Sequence, residues 1–178
     1  MKREIPNKRR IDGATTFILL NHGKAAAIDT ADWNLVKGFH WFARTPKNNP
    51  GYWYCCANMK RYGKRTCVDL HRFILGHPDW KVDHRDRDGL NNRRFNLRQA
   101  SSAQNQANSR KQAQTSSRFK GVYWSGQLRK WVAQITYTNE HGRRVHKGLG
   151  CFTDETMAGK AYASSAISIF GEFAHSNL

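Results

Sequence analysis

Residues 99–117 (QASSAQNQANSRKQAQTSS) contain no large apolar side chain, and this stretch separates two parts of the chain with different patterns. Its first half can form a helix that begins at Ser101 or Ser102 and ends near Arg110. Residues 111–117 have the composition of a linker. A chain of 178 residues can bury a core without disulfides or structural metals. We therefore expect an α+β protein with two domains joined by this stretch.

The part before the stretch is predicted to be rich in β-strands. Residues 1–12 (MKREIPNKRRID) are basic, lack an apolar face and indicate a flexible arm. Residues 13–110 are predicted to form the first domain. Its expected strands are 16–20, 25–28, 40–44, 52–59 and 65–70, and its expected short helices are 29–37 and 70–76.

The part after the stretch, residues 118–178, is predicted to be a three-stranded antiparallel sheet packed on one helix. The strand-like runs are 119–124, 130–137 and 145–152. We expect the helix to begin at Thr153 and to end at Gly171, with small residues on one face. In the middle strand, Trp131, Ala133, Ile135 and Tyr137 should face the helix. Lys130, Val132, Gln134 and Thr136 should then lie on the opposite, open face.

The net charge of +17 indicates a polyanionic partner, because lysine and arginine release condensed counterions when they meet phosphates. Residues 1–117 hold 22 basic and 9 acidic residues, against 8 and 4 in residues 118–178. The apolar runs are too short to span a membrane, and no basic amphipathic helix or secretory signal is recognisable. Charge thus favours nucleic acid over a membrane or a small-molecule substrate.

The cysteines do not indicate a zinc site. Cys55, Cys56, Cys67 and Cys151 form no CxxC pair, and together with the nearby histidines they match no zinc-finger spacing. We expect reduced thiols in a cytoplasmic protein. His71 is expected to pack against a strand or to contact phosphate.

Residues 82–98 (VDHRDRDGLNNRRFNLR) carry the residue types of a hydrolytic site. Asp83 and His84 end a short predicted strand, so their side chains point to opposite faces. The carboxylate of Asp83 is a hard oxygen ligand suited to magnesium, whereas His84 can serve as a general base near neutral pH. The amide of Asn105 on the following helix can supply a second oxygen ligand. The alternative interpretation of this segment is a capped turn with only a structural role.

This segment resembles the HNH nuclease motif, in the Asn-ended variant found in phage and group I intron homing endonucleases. The pattern V-D-H-x-D-x-D-G-L-N-N-R-R-x-N-L-R-x-A-S-x-x-Q-N-x-x-N covers residues 82–108, and the lead-in at residues 70–74 is also similar. The resemblance implies a ββα-metal fold in which His84 is the general base. Asn96 is the middle Asn that holds the loop, and Asp83 and Asn105 bind the metal. Asn108 stays open as the alternative helical ligand.

The resemblance also implies one Mg²⁺ or Mn²⁺ ion per active site, with no zinc. The metal would take up charge on the leaving oxygen, while the base deprotonates an in-line water. Four arginines surround the loop and are expected to grip flanking phosphates: Arg85, Arg93, Arg94 and Arg98.

The second domain resembles the AP2/ERF DNA-binding domain over residues 117–174. Its segments 117–124, 129–135, 149–152 and 155–166 carry the resemblance, which implies a sheet that lies in the DNA major groove. The implied contact residues are Lys120, Tyr123, Arg129, Lys130, Gln134, Thr136, Arg144 and His146. The first strand has Tyr123 and Trp124 where the family is rich in arginine, so no sequence preference is carried over.

These observations predict a site-specific, homing-type DNA endonuclease of a bacterial or phage-infected cell, acting as a monomer on double-stranded DNA. One active site per chain favours nicking. A DNA-binding regulator with an inactive nuclease domain is the alternative, and an RNA-binding protein is a second one. The role of residues 13–70 is left open.

Overall fold

The computed structural model describes residues 7–47, 51–61, 63–111, 115–175 and 178. The chain divides into two compact units, Met1–Gln99 (the N-terminal unit) and Ala100–Leu178 (the C-terminal unit). Both units contain small antiparallel sheets and a few helices, so the predicted α+β class is confirmed. Among the described residues, no helix combines the length and the apolar character that a membrane crossing requires.

In the described part of the N-terminal unit, the strands form three small sheets. The first has the order β1-β2-β3 and the second the order β4-β5-β6, and in both of them neighbouring strands are antiparallel. The third pairs β7 with β8. The strands are β1 (Arg9–Asp12), β2 (Thr15–Leu19), β3 (Ala25–Asp29), β4 (Trp41–Arg44), β5 (Tyr54–Arg61), β6 (Lys64–Asp69), β7 (Lys81–His84) and β8 (Leu97–Ala100). The helices are α1 (Trp33–Val36) and α2 (Leu70–Ile74).

Strand alternation builds the core of this unit. On β2, Thr16 and Ile18 are fully buried, and they pair with Ile28 and Ala26 on β3, which face the same way. The second sheet and the two helices cover this apolar face with side chains that include Trp41, Cys55, Ala57, Val36, Leu70 and Ile74. The resulting core supports β7 and the segment that follows it.

The C-terminal unit contains a helix that precedes the sheet, then the sheet itself and a long final helix. These elements are α3 (Ser102–Asn108), β9 (Val122–Ser125), β10 (Lys130–Thr138), β11 (Arg144–Phe152) and α4 (Glu155–Phe170). The antiparallel sheet has the order β11-β10-β9. Ala133 and Ile135 are buried against Ala158, Tyr162 and Ala166 of α4, whereas Gln134 and Thr136 are exposed. The predicted orientation of the middle strand is confirmed.

Close packing of α4 on the sheet requires glycine at two positions. A Cβ atom on Gly121, whose φ is +70°, would lie 2.1 Å from the ring of Tyr162, and one on Gly159 would lie 2.7 Å from the ring of Phe119. Both distances are below any tolerable contact, so these glycines let the aromatic rings fill the interface.

Several local predictions were wrong. Arg9–Asp12, expected in the flexible arm, pairs with β2 as an edge strand; all four residues are exposed, so no apolar pattern marked it. Residues 1–6 of that arm lie outside the described residues. The N-cap of α4 is Asp154, whose side chain accepts from the Met157 N–H, rather than Thr153. Helix α3 ends at Asn108, before Arg110.

The boundaries of the compact units also differ from the expected domain limits. Helix α3 was assigned to the first domain, but it belongs to the C-terminal unit. Residues 112–114 of the expected linker lie outside the described residues. Ser117, at its end, is buried and donates to Glu155 at the start of α4. The functional domain limits stay a prediction.

Candidate active site

The candidate site begins at the end of β7, where Asp83 and His84 are both buried, with 8% and 6% of their surface exposed. The Nε of Arg98 on β8 donates to Oδ2 of Asp83 at 2.8 Å, and both side chains of this ion pair are buried. A buried carboxylate needs such a partner, because burial without one strongly disfavours its charge. Pairing β7 with β8 therefore places the Arg98 guanidinium on Asp83 and fixes the orientation of its carboxylate.

His84 lies in a cluster of rings contributed by three separate elements. The ring centroids of His71 on α2 and His84 are 5.0 Å apart in an edge-on arrangement. The ring of Tyr54 on β5 lies 6.2 Å from His71 and 6.1 Å from His84. Nδ1 of His71 is buried and finds no hydrogen-bond partner within the described part of the chain. This packing restricts the orientation of the His84 imidazole.

Burial keeps both histidines neutral. It lowers the pKa of His71 to about 3, with the neighbouring His84 acting in the same direction. Burial also lowers the pKa of His84 below its ordinary value, and a side-chain hydrogen bond with Asn92 and the nearby carboxylates offset only part of that effect. At neutral pH, His84 is therefore an uncharged imidazole that can accept a proton.

Asn96 organises the loop between β7 and β8. Its Nδ2 donates to Oδ1 of Asp86 at 2.9 Å and to the carbonyl of Asn91 at 2.8 Å, and its Oδ1 accepts from the Asp86 N–H at 3.1 Å. Its own carbonyl accepts from the N–H of Arg85 at 2.9 Å. Asn96 is 1% exposed, so these bonds form away from water and fix the loop that follows His84.

The same loop is attached to the core at a second place. The N–H of Asn92 donates to the carbonyl of Ala27 at 2.7 Å, and the Ala27 N–H donates to the carbonyl of Leu90 at 2.8 Å. A Cβ atom on Gly89 would lie 2.4 Å from the carbonyl oxygen of Trp53 and 2.7 Å from the ring of Tyr54. The Asp-Gly-Leu-Asn-Asn sequence thus lets the loop lie directly against β3 and the start of β5.

The four arginines expected to grip phosphates have different environments. Arg85 is exposed on the loop. Arg93 pairs with Asp29 at 3.2 Å, and Arg94 binds both carboxylate oxygens of Asp32 and the carbonyl of Ile74. Arg98 is buried and forms an ion pair with Asp83. The guanidinium of Arg98 faces the interior, and a phosphate contact by this residue stays a prediction.

The residues predicted to contact DNA from the C-terminal unit also differ among themselves. Exposed side chains are Tyr123, Arg129, Lys130, Gln134, Thr136, Arg144 and His146. Thr136 and His146 are opposite each other on β10 and β11, with Oγ1 and Nδ1 2.9 Å apart. A cleft of about 480 Å³ is lined by Gln134, Thr136 and Arg144 together with Gln106 of α3.

Lys120, unlike the other residues predicted to contact DNA, forms hydrogen bonds with a helix of its own unit. Its Nζ donates to the carbonyls of Gln106, Ala107 and Ser109 at 2.6–3.0 Å. These carbonyls are at the C-terminal end of α3, where a cation is favoured by the helix dipole. Lys120 therefore has a structural role at the end of α3, and its contact with DNA stays a prediction.

The two candidate helical ligands lie on α3. Ser101 caps this helix, accepting from the Gln104 N–H while the Gln104 side chain accepts from the Ser101 N–H. Asn105 is half-buried and Asn108 is buried. Asn105 and Asn108 belong to the C-terminal unit and Asp83 to the N-terminal unit, so the metal pairing inferred from the resemblance stays a prediction.

The donor set at Asp83 is compatible with a hard divalent cation. Within the described residues, no cluster of three or more His, Cys, Asp or Glu side chains forms a metal site. Mg²⁺, however, is commonly bound by only one or two carboxylates together with water and substrate phosphates. A carboxylate that accepts from Arg98 keeps capacity for further partners on its oxygens. The residues present therefore fit such an ion, and the expected absence of zinc stays a prediction.

Sequence reasoning missed Tyr54 and the contact between His71 and His84. Tyr54 is one of several aromatic residues in a predicted strand, and no local signal separates it from those that only fill space. His71 was noted, but its expected contacts were a strand or phosphate. Both contacts arise from packing between β5, α2 and β7, which a single sequence does not reveal.

Comparison with known proteins supplies the family. The chain is 31% identical to an uncharacterized HNH endonuclease of Acanthamoeba polyphaga mimivirus, over 94% of this chain and 83% of the relative. No family model and no solved structure matches it. Similarity at this level extends through most of both compact units. The chain therefore belongs to the HNH endonuclease family.

Proposed function

We propose that this chain is a metal-dependent DNA endonuclease of the homing type that hydrolyses a phosphodiester bond with His84 as its general base. The observation that carries the proposal is the buried imidazole of His84, whose pKa is lowered by burial, next to Asp83, whose carboxylate accepts from Arg98. The loop that follows is held in one conformation by Asn96. A general base near neutral pH has to be uncharged and has to be oriented, and both requirements are met here.

The reaction needs a water molecule in line with the leaving oxygen. His84 accepts a proton from that water as the new P–O bond forms, and the bond from phosphorus to the 3′ oxygen breaks. The products are a 3′-hydroxyl and a 5′-phosphate, with the leaving oxygen taking a proton from solvent. One active site per chain then produces a nick, and a monomer on double-stranded DNA suffices.

Asp83 would hold a divalent cation, and Mg²⁺ or Mn²⁺ suits its hard oxygen ligands. When bound, such an ion supplies stabilisation of the negative charge that develops on the leaving oxygen. Arg98 donates to Asp83 and fixes its carboxylate in place. Asn105, with Asn108 as the alternative, is the proposed amide ligand on the basis of the resemblance alone.

The exposed face of the C-terminal sheet is proposed to select the target, as in AP2-like domains. Lys130, Gln134 and Thr136 alternate along β10 on the side away from α4. His146 and Arg144 face Thr136 and Thr138 across the β10–β11 ladder. Gln can pair with adenine, and Lys or Arg with guanine or phosphate, so the face offers the donors that base recognition needs.

Cleavage of supercoiled plasmid with Mg²⁺ tests the proposal. His84→Ala should reduce the rate about 10²–10⁴-fold while DNA affinity is retained, because the variant loses proton transfer but no surface charge. His141→Ala removes an exposed histidine from the β10–β11 loop and should cleave like the wild type.

Three outcomes would contradict the proposal. Wild-type protein that binds plasmid but leaves it uncut with Mg²⁺ or Mn²⁺ would favour a DNA-binding regulator. Preference for structured RNA over duplex DNA in competition would favour an RNA-binding protein. Cleavage by His84→Ala at the wild-type rate would remove His84 from the chemistry.

A further inference from the structure

Phe95 is the most exposed large apolar side chain in the described part of the N-terminal unit, with 63% of its surface accessible. Exposure alone carries no inference, because single apolar side chains are common on protein surfaces. Phe95 differs from the other exposed apolar side chains in the contacts that fix its turn and in its position near the candidate general base.

The turn that carries Phe95 is rigidly held on both sides. Arg93 is bound to Asp29, and its guanidinium lies over the Phe95 ring, 4.6 Å from the ring centroid. Arg94 is bound to Asp32 through both carboxylate oxygens. Asn96, the next residue, is the buried centre of the loop. An aromatic ring mounted in this way loses little conformational entropy when it inserts into a partner.

Phe95 is also close to the candidate general base along the hydrogen-bonded chain. The carbonyl of Asn96 accepts from the N–H of Arg85. Phe95 directly precedes Asn96, and His84 directly precedes Arg85. One hydrogen bond and two peptide links therefore join the exposed ring to the catalytic residue, on a loop whose other exposed side chains include Arg85.

We propose that Phe95 is a wedge that inserts between base pairs of the duplex next to the cleaved bond. This inference rests on the proposed function, because it takes duplex DNA as the substrate. Apolar side chains that enter a base step unstack it partly and bend the duplex. A bend fixed by Phe95 would hold the phosphodiester backbone against His84, and flexible pyrimidine–purine steps would be favoured at that point.

The experiment uses the full chain with EDTA, so that metal-dependent cleavage does not interfere. Closed circular plasmid is relaxed by a topoisomerase that needs no metal, in the presence of the protein, and the change in linking number is compared at equal bound protein. Wedge insertion unwinds the duplex, so the wild type should lower the linking number, and Phe95→Ala should lose at least about half of that change.

Two variants serve as controls. Phe95→Leu keeps an apolar wedge and should retain most of the unwinding. Ile167→Ala truncates a side chain of similar exposure, 60%, on α4 and should behave like the wild type. In a second measurement, the wild type should prefer a short duplex with one central mismatch over the matched duplex by about tenfold, since a mismatched step is already partly unstacked. Phe95→Ala should show no preference.

The outcomes separate the wedge from the proposed function. Unwinding by Phe95→Ala equal to that of the wild type, or binding by the wild type without unwinding, overturns the wedge while leaving the endonuclease proposal standing. If Phe95→Leu loses as much unwinding as Phe95→Ala does, the wedge proposal is also overturned. Failure of the wild type to bind plasmid at all overturns both.

Discussion

The site loop of the N-terminal unit and the open sheet face of the C-terminal unit present polar residues in opposite ways. Around His84, the polar groups are buried and held by hydrogen bonds or ion pairs, as with Asn96 and Asp83. On β10, Gln134 and Thr136 are exposed simply because strand residues alternate between the two faces. A catalytic group needs one fixed orientation, whereas a recognition surface needs access to its partner. The two regions should therefore respond differently to the same kind of substitution.

The largest difference is expected for ion pairs. Arg98→Met leaves the carboxylate of Asp83 buried without its partner and should lower the free energy of unfolding by about 3–5 kcal/mol. Arg44→Met breaks a more exposed pair with Asp69, at 3.0 Å, and should cost about 0–1 kcal/mol. Urea denaturation of both variants measures the two values. If Arg98→Met and Arg44→Met lower the free energy of unfolding equally, then burial of the Asp83–Arg98 pair does not increase its contribution to stability.

A matched pair of asparagines compares the same side chain in the two units. Asn96→Ala removes three side-chain hydrogen bonds of the site loop and should cost about 1–3 kcal/mol. It should also slow plasmid cleavage far more than it weakens DNA binding. Asn139 accepts from the N–H groups of His141 and Arg143 in the exposed β10–β11 loop. Asn139→Ala should change stability by about 0.5 kcal/mol and leave cleavage unchanged. Equal cleavage rates for the two variants would contradict the role assigned to Asn96.

The buried histidines predict how stability depends on pH. His71 has a pKa of about 3 in the folded chain, against about 6.5 when unfolded. Between these two pH values the unfolded chain binds a proton at His71 that the folded chain does not. The contribution of His71 to the free energy of unfolding is therefore fully present above pH 6.5 and decreases as the pH falls below it. The slope for this group is about 1.4 kcal/mol per pH unit.

His71→Phe should make that dependence shallower, as followed by urea denaturation between pH 7 and pH 5. The slope is reduced rather than abolished, because His84 is also buried and its pKa is lowered in the same way. The variant keeps an aromatic ring against Tyr54 and His84. A slope identical to that of the wild type would show that His71 is solvated in the folded protein.

The sequence predicts the two regions with unequal success, for a physical reason. Strand alternation is a local property, so the buried and exposed faces of β10 were predicted from residues 130–137 alone. The motif at residues 82–98 identified Asp83, His84 and Asn96 as candidates, because their types and spacing are unusual together. Their environment was not predictable: the contact of His84 with His71 and Tyr54 joins segments that are distant in the chain.

Basic residues were the hardest to assign. Arg98 and Lys120 have the same side-chain chemistry as neighbours that face solvent, and only the fold shows that one neutralises Asp83 and the other caps α3. The edge strand β1 was missed because all its side chains are exposed, leaving a pattern that matches an unstructured basic arm. Local composition determines charge, but the three-dimensional packing determines what each charge meets.

The salt dependence of DNA binding separates two lysines of the C-terminal unit. Lys130→Met removes an exposed cation from the proposed DNA face, so the slope of log affinity against log salt should decrease by about 0.9. Lys120→Met removes the same charge from the end of α3. It should instead lower the free energy of unfolding by about 1–3 kcal/mol, because three helix carbonyls lose a charged donor. The salt slope of Lys120→Met should stay close to that of the wild type. If substitution of either lysine changes the salt slope equally, then Lys120 leaves α3 when DNA binds. The contrast between side chains that stabilise the fold and side chains that contact DNA would then not hold in the C-terminal unit.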